Sequence, residues 1–262
     1  MNKINRMTNI NFVKIMSELG AGTRGASLGY DALVAASHNA GNALLNKYPT
    51  VVVPTKNEAL FTAVSTPFAK HIHANQVVFN AIHESVAAVM KNNKMPVVLA
   101  GDHSTAAATI QAIKLAEPNK KLGVVWIDAH ADLHSPYTSP TGNIHGMPLA
   151  VCLNEDNLDN KKNDVSDHSK AKWEKLKSIA NIVPKIKTED LVYIGLRDTE
   201  KQEDYLIEKH TIKQVKVSEL RGKGASTIAV ETLDSLDACD IIYISFDVDS
   251  MDCDLISHGT GT

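Results

Sequence analysis

Short runs of β-branched and other apolar residues recur along the chain, separated by segments in which apolar residues follow a helical spacing. All but one of the runs are almost continuously apolar, which is typical of strands covered on both faces of a sheet. An alternation of strands and helices predicts a parallel sheet with right-handed crossovers and helices on both faces. The runs predict six strands, at residues 50–53, 96–100, 122–127, 190–194, 213–217 (the less apolar run) and 241–246.

The intervening segments carry apolar residues three and four positions apart, which indicates amphipathic helices. In the segment 76–91, for example, Val78, Ile82 and Val86 fall on one helical face. The polar stretch 153–172 predicts a surface loop that leads into a helix. The pattern as a whole predicts helices at residues 30–46, 76–91, 104–116, 170–180 and 226–236.

Polar side chains cluster where three of the predicted strands end. The sequence is Gly-Asp-His-Ser at 101–104, Asp-Ala-His-Ala-Asp at 128–132 and Asp-Val-Asp at 247–249. Ligand sites in parallel α/β sheets lie beyond the carboxyl ends of the strands, so these clusters are expected at one edge of the sheet. Taken singly, His103 also fits a hydrogen-bonded loop histidine and Asp102 fits a helix N-cap.

The three clusters together contain four carboxylates and two imidazoles. Carboxylates this close together would repel one another and raise their pKa values unless cations lay between them. Oxygen-rich ligands without a thiolate favour Mn or Mg over structural zinc, and six ligands are enough for two divalent ions that share and activate a water molecule. The predicted metal ligands are His103, Asp128, His130, Asp132, Asp247 and Asp249.

Composition and charge argue against nucleic-acid binding and bear on the number of domains. The chain has 262 residues, 44% of them hydrophobic and 22% charged, with a net charge of −3, so it lacks the basic surface of a nucleic-acid-binding protein. This length and composition predict one α/β domain over residues 1–262.

The cysteines and the apolar runs bear on the compartment. Three scattered cysteines, Cys152, Cys239 and Cys253, predict neither a disulfide framework nor a four-cysteine zinc site. The N-terminal segment lacks the features of a signal peptide, and no run reaches about 18 apolar residues. We therefore expect a cytoplasmic protein without a membrane partner.

The motifs at 101–104 and 128–132, together with Asn-Ile-His-Gly at 143–146 and Ser-Phe-Asp-Val-Asp at 245–249, resemble the signature of the ureohydrolase family. Their spacing is most similar to that of the arginases, and the Gly-rich segment 20–33 is similar to the family's N-terminal segment. The resemblance implies a three-layer α/β/α sandwich with a mostly parallel central sheet. It further implies two Mn²⁺ ions, hydrolysis of L-arginine to ornithine and urea, and a homo-oligomer (trimer or hexamer) at full length.

The resemblance also assigns roles to individual residues. It makes the six predicted ligands the metal shell, with Asp128 and Asp249 as bridging or bidentate ligands. It gives catalytic roles to His145, as the proton-transfer histidine, and to Asp132. The residues that it places at the substrate are Ser139, Thr141 and Asn143 at the α-carboxylate, Glu200 at the α-amino group, and also His134 and Thr262. The imidazole of His134 could donate a hydrogen bond to the substrate, add a metal ligand or face solvent.

The chain departs from the family pattern at several positions. Ala100 stands where many members have Gly, His134 replaces an Asn common in arginases, and Glu200 replaces an Asp. The chain ends at Thr262, before the family's final strand and helices and the Glu that holds the guanidinium group. We therefore expect the 262 residues to be an incomplete domain with little activity of its own.

Three other functions fit parts of the pattern. A ureohydrolase of the agmatinase or formiminoglutamase type would share the metal site but bind another substrate. A non-catalytic, truncated metal-binding protein acting through a partner would keep the ligands without turnover. A zinc deacetylase of related fold fits less well, because the predicted set of ligands is rich in carboxylates and holds two ions.

Overall fold

A computed structural model describes residues 9–255 of the chain, which form seven β-strands and nine α-helices in alternation. The strands are β1 (Ile10–Ile15), β2 (Thr50–Val52), β3 (Met95–Ala100), β4 (Leu122–Ile127), β5 (Leu191–Ile194), β6 (Lys213–Val215) and β7 (Ile241–Phe246). The helices are α1 (Gly29–Asn39), α2 (Leu44–Lys47), α3 (Ile72–Lys91), α4 (Ser104–Ala116), α5 (Pro148–Leu153), α6 (Asp167–Lys177), α7 (Lys201–Lys209), α8 (Val217–Lys223) and α9 (Ala225–Ser235).

Every strand pairing in the described residues is parallel, as predicted. The strands form two hydrogen-bonded sheets, with the orders β2-β1-β3 and β6-β5-β4-β7. Within residues 9–255, β3 pairs only with β1 and β7 only with β4, so each strand keeps one open edge. Ile244 and Phe246 of β7 are more than half exposed.

Helices cover the four-stranded sheet on both faces, which confirms the predicted α/β class. Val124 and Trp126 of β4 belong to a large core that also contains residues of α3 and α4. Val125 points to the opposite face and packs in a smaller core with Ile228 of α9 and Leu220 of α8. Alternate residues of one strand therefore serve two helical layers, which explains why the strand is apolar throughout.

Strand β1 is the one strand that the hydrophobic pattern failed to predict. Its run is interrupted by Asn11 and Lys14, so it lacks the continuous apolar character of the other strands. Lys14 is tolerated because its ammonium group lies 2.7 Å from the Asp31 carboxylate of α1. The helices α5, α7 and α8 are short and were also missed.

The predicted helix at 30–46 is wrong in its continuity. Gly41 has a φ of 64°, in the left-handed region, and Asn42 O accepts a hydrogen bond from the Ser37 side chain. A left-handed residue ends an α-helix, so the segment divides into α1 and α2.

Helix α3 is the longest of the described helices, and its apolar face lies in the core through Val78, Phe79, Ile82 and Val86. Its other positions include charged and amide side chains. No helix within residues 9–255 has both the length and the apolar character required to cross a membrane.

Candidate metal centre and substrate pocket

The carboxyl ends of β3, β4, β5 and β7 open into one cavity of about 320 Å³. The cavity brings together every predicted site residue that lies within residues 9–255, while the predicted substrate residue Thr262 lies outside the described residues. The predicted residues that line it are His103, Asp128, His130, Asp132, His134, Ser139, Thr141, Asn143, His145, Glu200, Asp247 and Asp249. Asp198 and Glu203 also line it and were not predicted.

A first cluster of ligand atoms surrounds Nδ1 of His103. The Oδ2 atoms of Asp128, Asp132 and Asp247 lie 3.1, 2.9 and 3.0 Å from this nitrogen. One ring nitrogen carries at most one hydrogen and cannot donate to three oxygens. His103 Nδ1, Asp128 Oδ2 and Asp132 Oδ2 are in fact buried without a well-formed hydrogen bond to any described residue. Buried polar atoms arranged in this way are suited to bind a cation together.

The His103 ring is held in place from two directions. It stacks on Trp126 of β4 with ring centroids 4.2 Å apart and an interplanar angle of 8°. Its Nε2 lies 2.8 Å from the hydroxyl oxygen of Ser245 on β7. A hydrogen bond at Nε2 leaves the Nδ1 lone pair free to bind a metal ion, as is usual for metal-binding histidines.

A second cluster shares Asp128 with the first. His130 Nδ1 lies 3.0 Å from Asp249 Oδ2 and 3.6 Å from Asp128 Oδ1, and the three residues could hold one ion. The other ring nitrogen, Nε2, lies 3.5 Å from Asp198 Oδ2. Asp198 follows β5, so the strand-end rule that found the other clusters would have found it too. The bridging role of Asp249 stays a prediction, because this residue belongs to the second cluster alone.

Electrostatics in the cavity reflect a strongly anionic site. Burial raises the pKa of Asp132 to about 7, and the charge of Asp128 adds to the rise. Contacts with Asp128 and Asp249 raise the pKa of His130 to about 11. Burial lowers the pKa of His103, but the three carboxylates outweigh it and raise this pKa well above its ordinary value. Without cations, protons therefore occupy this site.

The geometry of the two clusters fits a pair of hard divalent ions. Ligands at right angles around an ion with bonds of about 2.1 Å are separated by about 3 Å, which is the spacing around His103. All ligand atoms are nitrogen or oxygen, and Asp132 adopts a left-handed φ of 51°, a strained conformation typical of functional sites. The two clusters meet at Asp128, as a binuclear site requires.

The loop from residue 133 to residue 143 forms one wall of the cavity. Ser139 Oγ accepts a hydrogen bond from the Gly142 backbone, and Thr141 Oγ1 accepts one from the Asn143 backbone. Gly142 has a φ of 73°, and a Cβ atom there would lie 1.8 Å from the Pro67 carbonyl oxygen. Only glycine lets the loop approach this closely.

A pair of glutamates faces the loop from the start of α7. Glu200 is the N-cap of α7 and forms a capping box with Glu203, whose Oε2 accepts from the Glu200 backbone at 3.1 Å. Glu203 Oε1 accepts from the Leu133 backbone, and burial raises the pKa of Glu203 to about 7. The sequence signal for Glu203 was this capping-box spacing of three residues.

Two histidines complete the cavity wall. His134 is buried, and burial lowers its pKa, while its Nε2 lies 3.6 Å from Glu203 Oε2 and 3.8 Å from Glu200 Oε1. His145 is exposed, and its backbone donates to the Gly20 carbonyl. His145 lines the same cavity as the candidate metal ligands.

Comparison with known proteins identifies relatives of this chain. A model of the arginase family matches residues 9–262. An arginase of Staphylococcus aureus strain COL is 37% identical over 183 residues, which is 69% of this chain and 54% of that protein. Arginase-1 of Homo sapiens is 38% identical over 169 residues, covering 64% of this chain and 48% of that protein. The chain thus spans about half the length of the curated relatives it matches.

Solved structures show the same fold. The 1.7 Å crystal structure of an arginase from Bacillus subtilis has a TM-score of 0.75 at 30% identity, covering 94% of this chain and 76% of the other. A formimidoylglutamase from the same species has a TM-score of 0.64 at 19% identity, a likeness of fold alone. The family match covers nearly the entire chain, and these structures share its architecture. The chain therefore belongs to the arginase family.

Proposed function

We propose that this chain forms the metal centre of a ureohydrolase that cleaves the guanidino C–N bond of L-arginine to give ornithine and urea. The observation that carries the proposal is the cluster of buried ligand atoms around His103 Nδ1, which no described residue satisfies. Two Mn²⁺ ions are the proposed cofactors. When bound, a pair of such ions supplies a nucleophile at neutral pH by lowering the pKa of a shared water molecule.

The ligands divide between two ions. His103, Asp132 and Asp247 would hold one ion, and His130 and Asp249 would hold the other. Asp128 would join the two, since its carboxylate belongs to both clusters. Asp132 is also proposed to orient the water molecule that the ions would supply, because its carboxyl group is buried in the cavity beside His103.

His145 is proposed to deliver the proton that the leaving amine requires. Its side chain is exposed and lines the cavity, so it can exchange protons with solvent. Imidazole is the side chain best matched to proton transfer near neutral pH.

The opposite end of the substrate would lie against the loop and α7. Ser139, Thr141, Asn143 and His134 are proposed to bind the α-carboxylate, because hydroxyl, amide and imidazole groups can donate hydrogen bonds to it. Glu200 is proposed to bind the α-amino group through opposite charge. All five line the cavity together with the metal clusters.

The experiment is a comparison of substrates on the purified full-length protein, reconstituted with Mn²⁺. Release of urea from L-arginine and from agmatine, and turnover of formiminoglutamate, would be measured together with the number of bound ions. We expect kcat/KM for L-arginine to exceed that for agmatine by about 100-fold, because agmatine lacks the carboxylate that four side chains would bind.

Two outcomes would overturn this assignment. A preference for agmatine or formiminoglutamate would move the protein to another ureohydrolase activity. Binding of Mn²⁺ without turnover of any of the three would identify a metal-binding protein that acts by other means.

We also propose a cytoplasmic location and a homo-oligomeric state. The location is supported by the sequence, whose three scattered cysteines, Cys152, Cys239 and Cys253, do not form the pattern of a secreted disulfide framework. The oligomer, a trimer or hexamer at full length, is supported by the resemblance to the arginases. Sedimentation analysis of the purified protein would test it.

A further inference from the structure

Among the described residues, one close side-chain contact of His134 determines which ring nitrogen carries the hydrogen. The Nδ1 atom lies 3.1 Å from the hydroxyl oxygen of Thr138, four residues along the same loop. His134 is 8% exposed and Thr138 is fully buried. His134 lines the cavity. Its other ring nitrogen, Nε2, lies 3.6 Å from a carboxylate oxygen of Glu203 and 3.8 Å from one of Glu200, and both distances are too long for a hydrogen bond.

The direction of this hydrogen bond follows from the other partner of Thr138. The Thr138 oxygen accepts a hydrogen bond from the Ser135 backbone at 3.1 Å. If the hydroxyl oxygen also accepted from His134, its own buried hydrogen would have no acceptor, because among the described residues the His134 ring nitrogen is the partner that remains for it. A ring nitrogen that accepts a hydrogen bond carries no hydrogen, so the hydrogen of a neutral ring lies on Nε2.

We propose that the Thr138 hydroxyl is a positioning group that fixes His134 as the Nε2–H tautomer, so that the ring donates a hydrogen bond into the cavity to the carboxylate of an amino-acid substrate. This inference rests on the proposed function. It extends that function by explaining how His134 selects a guanidino substrate that carries a carboxylate.

The tautomer decides whether His134 attracts or repels such a substrate. The cavity already contains the carboxylates of Glu200 and Glu203 on the side of α7, which repel an incoming anion. An Nε2–H group offers the substrate carboxylate a donor, whereas the alternative tautomer would present a lone pair. A buried donor without its acceptor is unfavourable, so a substrate that lacks the carboxylate is selected against.

The first test reads the tautomer without turnover. Protein labelled with ¹⁵N in histidine and loaded with Mg²⁺, which is diamagnetic, would be examined by long-range ¹H–¹⁵N correlation, with the His134 signals assigned by their loss in His134→Asn. We expect a protonated Nε2 and an unprotonated Nδ1. A ring protonated at Nδ1, alone or together with Nε2, would overturn the proposal.

The second test measures the affinity for substrate in matched variants. Thr138→Val keeps the shape of the side chain but removes the hydroxyl, whereas Thr138→Ser retains it. By calorimetry on Mg²⁺-loaded protein, we expect Thr138→Val to weaken binding of L-arginine about tenfold and binding of agmatine less than twofold, with Thr138→Ser close to wild type. The number of bound metal ions should stay the same in all three proteins.

The outcomes separate this proposal from the proposed function. Equal affinities of wild type and Thr138→Val for L-arginine, or a wild-type protein that does not bind L-arginine, would overturn the role of Thr138. Binding of L-arginine with the expected loss in Thr138→Val, but without urea release by the Mn²⁺-loaded wild type, would support the role of Thr138 and overturn the proposed hydrolysis.

Discussion

The metal centre and the substrate wall lie in the same cavity but differ in how their polar atoms are satisfied. At the metal centre, His103 Nδ1, Asp128 Oδ2 and Asp132 Oδ2 are buried without a hydrogen-bond partner among the described residues. In the wall, the hydroxyls of Ser139 and Thr141 accept hydrogen bonds from their own loop. The wall is therefore satisfied by its own hydrogen bonds, whereas the candidate metal centre holds buried polar atoms that bound cations would satisfy.

This difference has a physical origin in charge. Buried carboxylates that face one another are stable only with counter-charges, and removal of one partner leaves the others uncompensated. Neutral hydroxyl and amide groups can instead be satisfied locally by the turns in which they lie. Substitutions at the candidate metal centre should therefore change the number of bound ions, whereas substitutions in the wall should change KM for the substrate.

The largest effect is expected at the carboxylate that both metal clusters share. In the full-length protein, Asp128→Ala removes a ligand of each proposed ion, so kcat/KM for L-arginine should fall by at least about 10³-fold, more than the loss of one transition-state hydrogen bond costs. Calorimetric titration should also show fewer than two Mn²⁺ ions per chain. The matched control is Asp164→Asn. The Asp164 side chain is fully exposed, so this substitution should change neither kcat/KM nor the number of bound ions. Two bound ions in Asp128→Ala would contradict the shared role.

A second prediction concerns the pH dependence of metal affinity. The pKa of Asp132 is raised to about 7 by burial and by Asp128, so below pH 7 a metal ion must displace its proton. Protons compete with the metal, and His103 and His130, whose pKa values are raised, must lose protons as well. Affinity should therefore fall as the pH is lowered from 8 to 6, by about tenfold per unit for each proton displaced, and more steeply below pH 7. Titrations at several pH values with proton-release measurements would detect this. A constant affinity would show that the carboxylates are already ionised.

A third prediction perturbs the wall alone. Gly142→Ala places a methyl group against the Pro67 carbonyl and in an unfavourable φ region, so the loop must shift at a cost of about 1–3 kcal/mol. We expect KM for L-arginine to rise about tenfold while two Mn²⁺ ions still bind. Gly222→Ala, in α8 with open space around it, is the control and should be neutral or slightly stabilising. Loss of metal in Gly142→Ala would mean that the two regions are not separable.

The smallest effect is the change in thermal stability on metal removal. Ions present at 100 times their Kd stabilise the folded chain by about 2.7 kcal/mol per site. Chelation should therefore lower Tm by several degrees, at the rate of about 2–4 °C per kcal/mol for a chain of this size. Differential scanning fluorimetry with and without chelator would measure it. An unchanged Tm would indicate that the cluster is stable without cations.

The cluster of candidate metal ligands could be predicted from sequence because its residues directly follow strongly apolar strands. The ends of β3, β4 and β7 were recognisable from hydrophobicity alone, and the parallel arrangement places them together. Asp198 was missed because the same rule was not applied to the end of β5. β1 was missed because Asn11 and Lys14 interrupt its pattern, and the contact of Lys14 with Asp31 is not visible in the sequence.

The relationships within the wall depend on packing between distant segments. Glu203 contacts the Leu133 backbone across 70 residues, and its position beside His134 results from where α7 begins. The division of the strands into two sheets likewise depends on pairings between distant residues, which local patterns do not encode. By contrast, the hydrogen bond between His134 and Thr138 is local in sequence. Which of the two residues donates it depends on the second hydrogen bond that Thr138 accepts from the Ser135 backbone.

The most direct test of the metal centre is a crystal structure of the protein grown with Mn²⁺, with diffraction data collected at the manganese absorption edge. The account predicts two anomalous peaks about 3.5–4 Å apart. One should lie among His103, Asp132 and Asp247, the other between His130 and Asp249, with Asp128 touching both. A cavity without anomalous density at full Mn²⁺ saturation, with these side chains in the positions described, would contradict it.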